Sequence, residues 1–227
     1  GLDVTAFTLT RDGAPLDLSA ATLTGTGTSY TLGGLAALTA AGGDYVLTLS
    51  ASLAALIDLA GNPLAADATT AFTVDTTAPT VTITPVTTGP TNAGTVTYTV
   101  TFDEDVTGVD DTDFVLTSTV GATISGVSGG GTIWTVTIDT GSGTGTVRLD
   151  LAAAPTIADL AGNPLAGPFT GETYHIDRTA PTATITAATP DPRHTPVDSL
   201  DLTFSEDVIG LDVTAFTLTR DGAPLDL

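Results

Sequence analysis

The first eighteen residues, GLDVTAFTLTRDGAPLDL, recur without a change as residues 210–227. Internal repetition on this scale sets the architecture before local propensities are weighed. The period is 209 residues (210 − 1), and an unchanged match of this length reads as a recent tandem duplication. A weaker repeat lies inside it. DLAGNPLA stands at 58–65 and 159–166, TAPT at 77–80 and 179–182, and EDVTGVDDTDFVLT at 104–117 answers EDVIGLDVTAFTLT at 206–219. Offsets of 101 (159 − 58) and 102 (179 − 77) make the unit two related domains in alternation. On this reading residues 1–78 are the later part of a type A domain whose first strands are missing. Residues 79–180 are a complete type B domain, and 181–227 begin the next type A domain.

The segments between these signposts read as β. In TVTYTVTF (95–102) and TIWTVTID (132–139) apolar residues alternate with threonine, the period of a half-buried strand. Threonine suits the outer positions because it is β-branched, polar and uncharged. Gly-, Pro- and Asp-rich breaks at sandwich spacing predict seven strands in the middle domain, near 80–87, 94–103, 113–118, 121–128, 132–139, 145–152 and 170–177. The fold class is all-β: tandem immunoglobulin-like antiparallel sandwiches without a disulfide, since there is no cysteine. Tyr45 opens GDYVLTL (43–49) where a tyrosine corner would lie, whereas Thr146-Val147-Arg148 occupies that place in the middle domain. Only SLAALIDLA (52–60) reads as helical.

Charge narrows the partners. With 26 acidic residues against 5 basic ones, all of them Arg, the net charge is -21. Such a surface repels phosphates and anionic lipid, which excludes nucleic acid and disfavours membrane surfaces. No apolar run is long enough to span a bilayer. Hydrophobic content of 41% still suffices for packed cores, so the acidity does not imply disorder.

The D-x-T-A-P-T linkers at 75–80 and 177–182, F-D-E-D-V at 102–106, F-S-E-D-V at 204–208 and both D-L-A-G-N loops resemble bacterial Ig-like domains. The resemblance covers the whole chain. It implies an extracellular, secreted setting in large repetitive adhesins or biofilm-matrix proteins, and a stalk often stiffened by calcium.

Topology adds its own argument for metal. In a seven-strand sandwich, the loop after the second strand and the loop before the last share a pole with the incoming linker. Asp75, Asp103, Glu104, Asp105, Asp159 and Asn163 are therefore expected at one junction. Asp177, Glu206 and Asp207 would repeat the arrangement at the next, with Asp58 and Asn62 holding the place of the missing loop in the following copy. Hard oxygen donors in this number suit Ca²⁺, which takes 6–8 oxygens, better than Mg²⁺. The alternative is that these Asp residues cap tight turns and that Asn-Pro starts one.

Catalytic readings find little support. Gly126-Val127-Ser128-Gly129-Gly130 matches G-x-S-x-G but leads into a strand where the nucleophile elbow needs a helix. Asp103–Gly108 begins like an EF-hand loop, yet its twelfth position is Phe114 and strands flank it. His175 and His194 lack partners, Asp110 and Asp111 read as loop residues without an aromatic platform, and Trp134 is expected in or near the core. A threonine face for ice or carbohydrate is outweighed by plain β propensity. The expected role is a non-enzymatic, calcium-stiffened spacer, with a ligand-binding adhesion domain or the stalk of a secreted enzyme as alternatives. The expected partners are neighbouring copies of the repeat: residues 183–209 of one copy should pack with 19–76 of the next, by chain continuity or strand exchange.

Overall fold

The alternation of TVTYTVTF survives in three dimensions: Val96, Tyr98, Val100 and Phe102 face inward and the threonines between them face out. The computed structural model describes residues 2–87 and 89–226. The chain forms two compact units, Gly1–Ile176 and Asp177–Leu227.

The first unit opens with β1 (Phe7–Arg11), β2 (Ala14–Leu16), β3 (Thr22–Thr26), β4 (Ser29–Gly33), β5 (Gly43–Leu49) and β6 (Ala68–Val74). A four-stranded antiparallel sheet runs in the order β2-β1-β5-β6, and β3 and β4 make a separate hairpin. Asp12 and Gly13 both take positive φ (51° and 79°), which is what a tight two-residue hairpin turn demands. The Tyr45 hydroxyl donates to the Ala41 carbonyl at 2.7 Å, so the expected tyrosine corner forms. The small core holds Leu9, Leu18, Ala21 and Tyr45. The expected helix shrinks to α1 (Ala51–Ala54), closed by Ala55 at φ 45°. Beyond it the Asp58 carboxylate draws the Ala60 and Asn62 N–H groups into a turn, which competes with any further helix.

The same unit continues with β7 (Val81–Pro85), β8 (Thr95–Phe102), β9 (Val106–Thr107), β10 (Phe114–Ser118), β11 (Thr123–Gly130), β12 (Ile133–Asp139), β13 (Gly145–Leu151), β14 (Ala158–Asp159) and β15 (Phe169–Ile176). Two sheets, β11-β12-β8-β7 and β10-β13-β15, enclose one core. This four-plus-three arrangement is that of a constant-type immunoglobulin sandwich. Every strand expected from the sequence is present, and the short pair β9–β14 is an addition.

No tyrosine corner forms on β13; two tyrosines join the sheets instead. Tyr98 on β8 donates to the Val147 carbonyl across the core at 2.8 Å. Tyr174 on β15 donates back to the Thr97 carbonyl at 3.1 Å, and the rings meet edge to face at 5.2 Å. Burial pushes the Tyr98 phenol up to about 12, so it stays a donor. Asp113 is buried too, accepting from Thr156 N and Asp110 N at 2.6 and 2.8 Å. At the matching place in the first domain stands Ala6, which asks for no such partner.

The second unit contains β16 (Ala183–Ile185) paired with β17 (Leu202–Phe204), and β18 (Leu218–Arg220) paired with β19 (Ala223–Leu225). None of its described residues is buried.

Candidate metal centre at a domain junction

The D-L-A-G-N loop is built by its own first and last residues. Asp159 Oδ1 accepts from the Asn163 backbone N–H at 2.8 Å, and Oδ2 accepts from Asn163 Nδ2 at 2.7 Å. Gly162 sits at φ 96°, a conformation that glycine adopts without a steric penalty. Burial pushes the Asp159 carboxyl up, but the Asn163 donors outweigh it and hold the group below its usual range. Asp159 is only 3% exposed.

Tertiary pairing then brings the other segments in. Val106 stands opposite Asp159 in the β9–β14 pair, so the F-D-E-D-V loop lies against D-L-A-G-N. Asn163 Nδ2 also donates to the Asp75 carbonyl at 3.2 Å, which ties the incoming linker to the loop. Asp75 itself accepts from Thr77 N at 2.9 Å in a tight turn. One carboxylate oxygen from each of Asp75, Glu104 and Asp159 thus lies within 4.8 Å of the others. The Glu104 carboxyl is pushed above its usual range, first by burial and then by the negative charges of Asp75, Asp159 and Asp103. Three carboxylates so placed repel one another unless a proton or a cation intervenes.

The remaining expected ligands take separate positions. Asp103 turns to the linker and accepts from Thr80 N at 2.6 Å, which holds its carboxyl below the usual range. A Cβ added at Gly131 would come within 2.9 Å of Asp105 Oδ1, so Asp105 borders the β11–β12 turn. Asn163 uses its amide N–H groups to position Asp159 and the linker. Asp58 and Asn62 repeat the loop bonds at 2.8 Å each but stand exposed. Asp177 accepts from Thr179 N at 2.9 Å, the turn seen at Asp75. Glu206 and Asp207 are exposed. Among the described residues, Asp75, Glu104 and Asp159 are the one such group of three. Asp58, Asp75, Asp159 and Asp177 all cap turns, as the alternative reading expects, and two of them also enter the cluster.

The other sequence motifs fall into structural places. Gly126–Gly130 is part of β11, which turns into β12. Asp110 caps the short 3-10 turn Asp111–Asp113. Trp134 is half-buried, with Nε1 donating to the Gly131 carbonyl at 3.2 Å, and His175 and His194 are exposed. What sequence reasoning missed is the Asn163 bond to the linker and the β9–β14 pair. The repeated spacing of F-x-E-D-V and D-L-A-G-N was the available signal, but it carries no register.

Residues 75–176 match the family described as Bacterial Ig-like domain. That span begins at the linker aspartate and ends with β15, so it takes in all three carboxylates. No curated protein matches the chain. Among solved structures it is similar to an I-band fragment of titin, at 9% identity over 97% of this chain and 70% of that one, with a TM-score of 0.28. The fold assignment rests on the sheet order above. The chain is built of Ig-like sandwiches in tandem, and among the described residues no helix is long and apolar enough to cross a membrane.

Proposed function

We propose that this chain is a structural repeat of an extracellular bacterial adhesin, filament or matrix protein, in which calcium at the domain junction stiffens a spacer. The observation that carries the reading is the Asp75–Glu104–Asp159 group, whose members come from the linker, the loop before β9 and the strand β14. A site within one domain would steady that domain. One that includes the linker couples the angle between domains to the ion.

The donor set fits. Carboxylate oxygens are hard ligands, and no cysteine or histidine joins them, which favours Ca²⁺ over zinc or copper. Three carboxylates supply part of the 6–8 oxygens that Ca²⁺ takes, and water can supply the rest. The raised Glu104 carboxyl marks a charge that a divalent cation would neutralise. Bacterial Ig-like domains are often extracellular, where calcium is abundant, and they typically serve as structural or adhesive modules without catalysis.

Calorimetric titration of the chain with CaCl₂ tests this. Free calcium about a hundredfold above Kd should stabilise the site-bearing domain by about 2.7 kcal/mol. That corresponds to a rise in melting temperature of roughly 10 °C, reversed by chelator. Absence of both heat and thermal shift would remove calcium from the reading. Binding of a glycan or protein by one isolated repeat would favour the adhesion-domain alternative.

A further inference from the structure

The complete domain carries a run of bonds along the seam where the edges of its two sheets meet. The edges are β7 of one sheet and β15 of the other. Gly171 is what lets them close: a Cβ there would overlap the Leu149 carbonyl and come within 3.2 Å of Ile83 Cγ2 on β7. Further along, the Tyr174 hydroxyl makes three bonds. It accepts from Thr87 N at 3.0 Å, meets Thr87 Oγ1 at 3.1 Å and donates to the Thr97 carbonyl at 3.1 Å, an acceptor that Val86 N shares. Thr91 N then donates to the His175 carbonyl at 3.0 Å, and Thr91 pairs with Ile176 in parallel. Tyr98 on β8 adds a bond to the Glu172 carbonyl at 3.1 Å.

These bonds tie together the two strands through which the chain enters and leaves the domain. β7 follows the linker at 75–80, and β15 ends at Ile176, just before the linker at 177–182. Both strands run away from the pole of the D-L-A-G-N loop. Thr80 N is bonded to Asp103 at that pole, and Thr91 meets Ile176 at the far one. Tension along the chain therefore draws β7 back past β15. Every bond of the seam is then strained at once, in shear, whereas a ladder pulled open from one end yields bond by bond at a smaller load.

We propose that the β7–β15 seam is a mechanical clamp, with the Tyr174 hydroxyl as its central link, through which the domain withstands tension between its two linkers. The inference rests on the spacer reading and deepens it, since a spacer is pulled along its chain. Rupture under force follows the unfolding barrier and not the equilibrium stability. A bond that breaks on the way to that barrier counts in full, and a core residue still packed at the barrier counts little. Tyr174 stands in the first class, and Ile138, buried on β12, in the second. Calcium plays no part in the clamp.

Single-molecule stretching of the full chain at constant tension, in chelator, is the test. Handles on its two ends load the domain through both linkers. A step of about 300 Å marks the unfolding of 81–176, at about 3.6 Å per residue less the folded length. Tyr174→Phe should shorten the lifetime under tension about tenfold, and Thr87→Val, which removes only the hydroxyl, about threefold. Ile138→Val lowers the melting temperature of the same domain, followed by Trp134 fluorescence, but should change that lifetime less than about twofold. The proposal is overturned if neither Tyr174→Phe nor Thr87→Val shortens the lifetime, or if Ile138→Val shortens it as much as they do. Such a failure leaves the calcium titration untouched, and failure of the titration leaves the lifetimes in chelator untouched.

Discussion

The two D-L-A-G-N loops share a sequence, and they share the bonds between the aspartate and the asparagine. Asp58 and Asp159 each accept from the backbone and the side chain of the asparagine four residues on, at 2.7–2.8 Å. Asp58 is nevertheless exposed, while Asp159 is buried and belongs to a group of three carboxylates. The difference is supplied entirely by neighbours. Asp159 has β9, Glu104 and the Asp75 linker against it, whereas among the described residues no such group of carboxylates gathers around Asp58. Eight residues encode a turn; it takes three distant segments to make a site.

The largest contrast that mutation can expose is in the core that surrounds one loop and not the other. Phe102 is 2% exposed, and Phe102→Ala should cost about 3–5 kcal/mol in the complete domain. Phe204, its counterpart in the same register, is only partly covered. Phe204→Ala should leave the thermal transition of the domain that contains Trp134, followed by its fluorescence, unmoved. Equal effects in chemical denaturation would mean that the second unit has a core of its own.

A smaller effect separates the loops themselves. Asp159→Ala leaves the half-buried Asn163 N–H without its acceptor and removes the group that positions the Asn163 amide against the linker. It should lower the melting temperature of the complete domain by roughly 5–10 °C. Asp58→Ala breaks the same local bonds where water can replace them, and its shift should be several-fold smaller. Similar shifts would show that the loop bonds alone, without the junction, account for the cost.

The smallest effect is electrostatic. A carboxyl whose pKa is raised by folding binds its proton more tightly in the folded state, so its contribution improves as pH falls through that raised value. Asp159 and Asp103 are held low, and their contribution fades only as pH falls through those lowered values. Without metal, the domain should therefore gain stability as pH falls from neutral towards the raised Glu104 value, before the losses carried by Asp159 and Asp103 set in at lower pH. Glu104→Gln should remove that gain, raise the metal-free melting temperature slightly and abolish any gain from calcium. A monotonic fall in stability from neutral pH downward in the wild type would contradict the assigned charge cluster.

Much of the fold is legible because a strand half buried in a sandwich needs period-two alternation, and TVTYTVTF and GTVRLDL carry it openly. The repeat likewise announces the order of the loops, which is why Asp75, Glu104 and Asp159 could be named together. The Tyr98–Tyr174 exchange is not legible, since a tyrosine at an inward position reads the same whether its hydroxyl finds a carbonyl across the core or on its own strand. Nor is the division of labour among Asp103, Glu104 and Asp105, three successive acids of which only Glu104 joins the cluster. Alternation along a short loop says which residues are acidic, and only the register of β9 against β14 decides which of them faces Asp159.

The amino-acid sequence alone determined the tandem β architecture, the turn chemistry of the repeated loops and the acidic character of the joints. These depend on residue type and on neighbours within a few positions, and identical segments accordingly make the same 3-10 and hairpin turns at 3–16 and 212–225, and the same Asp–Asn turn at 58–62 and 159–163. Tertiary structure decided which copy is buried and which carboxylates meet. Those outcomes depend on segments tens of residues apart in sequence, and burial and charge repulsion arise only when such segments are brought together.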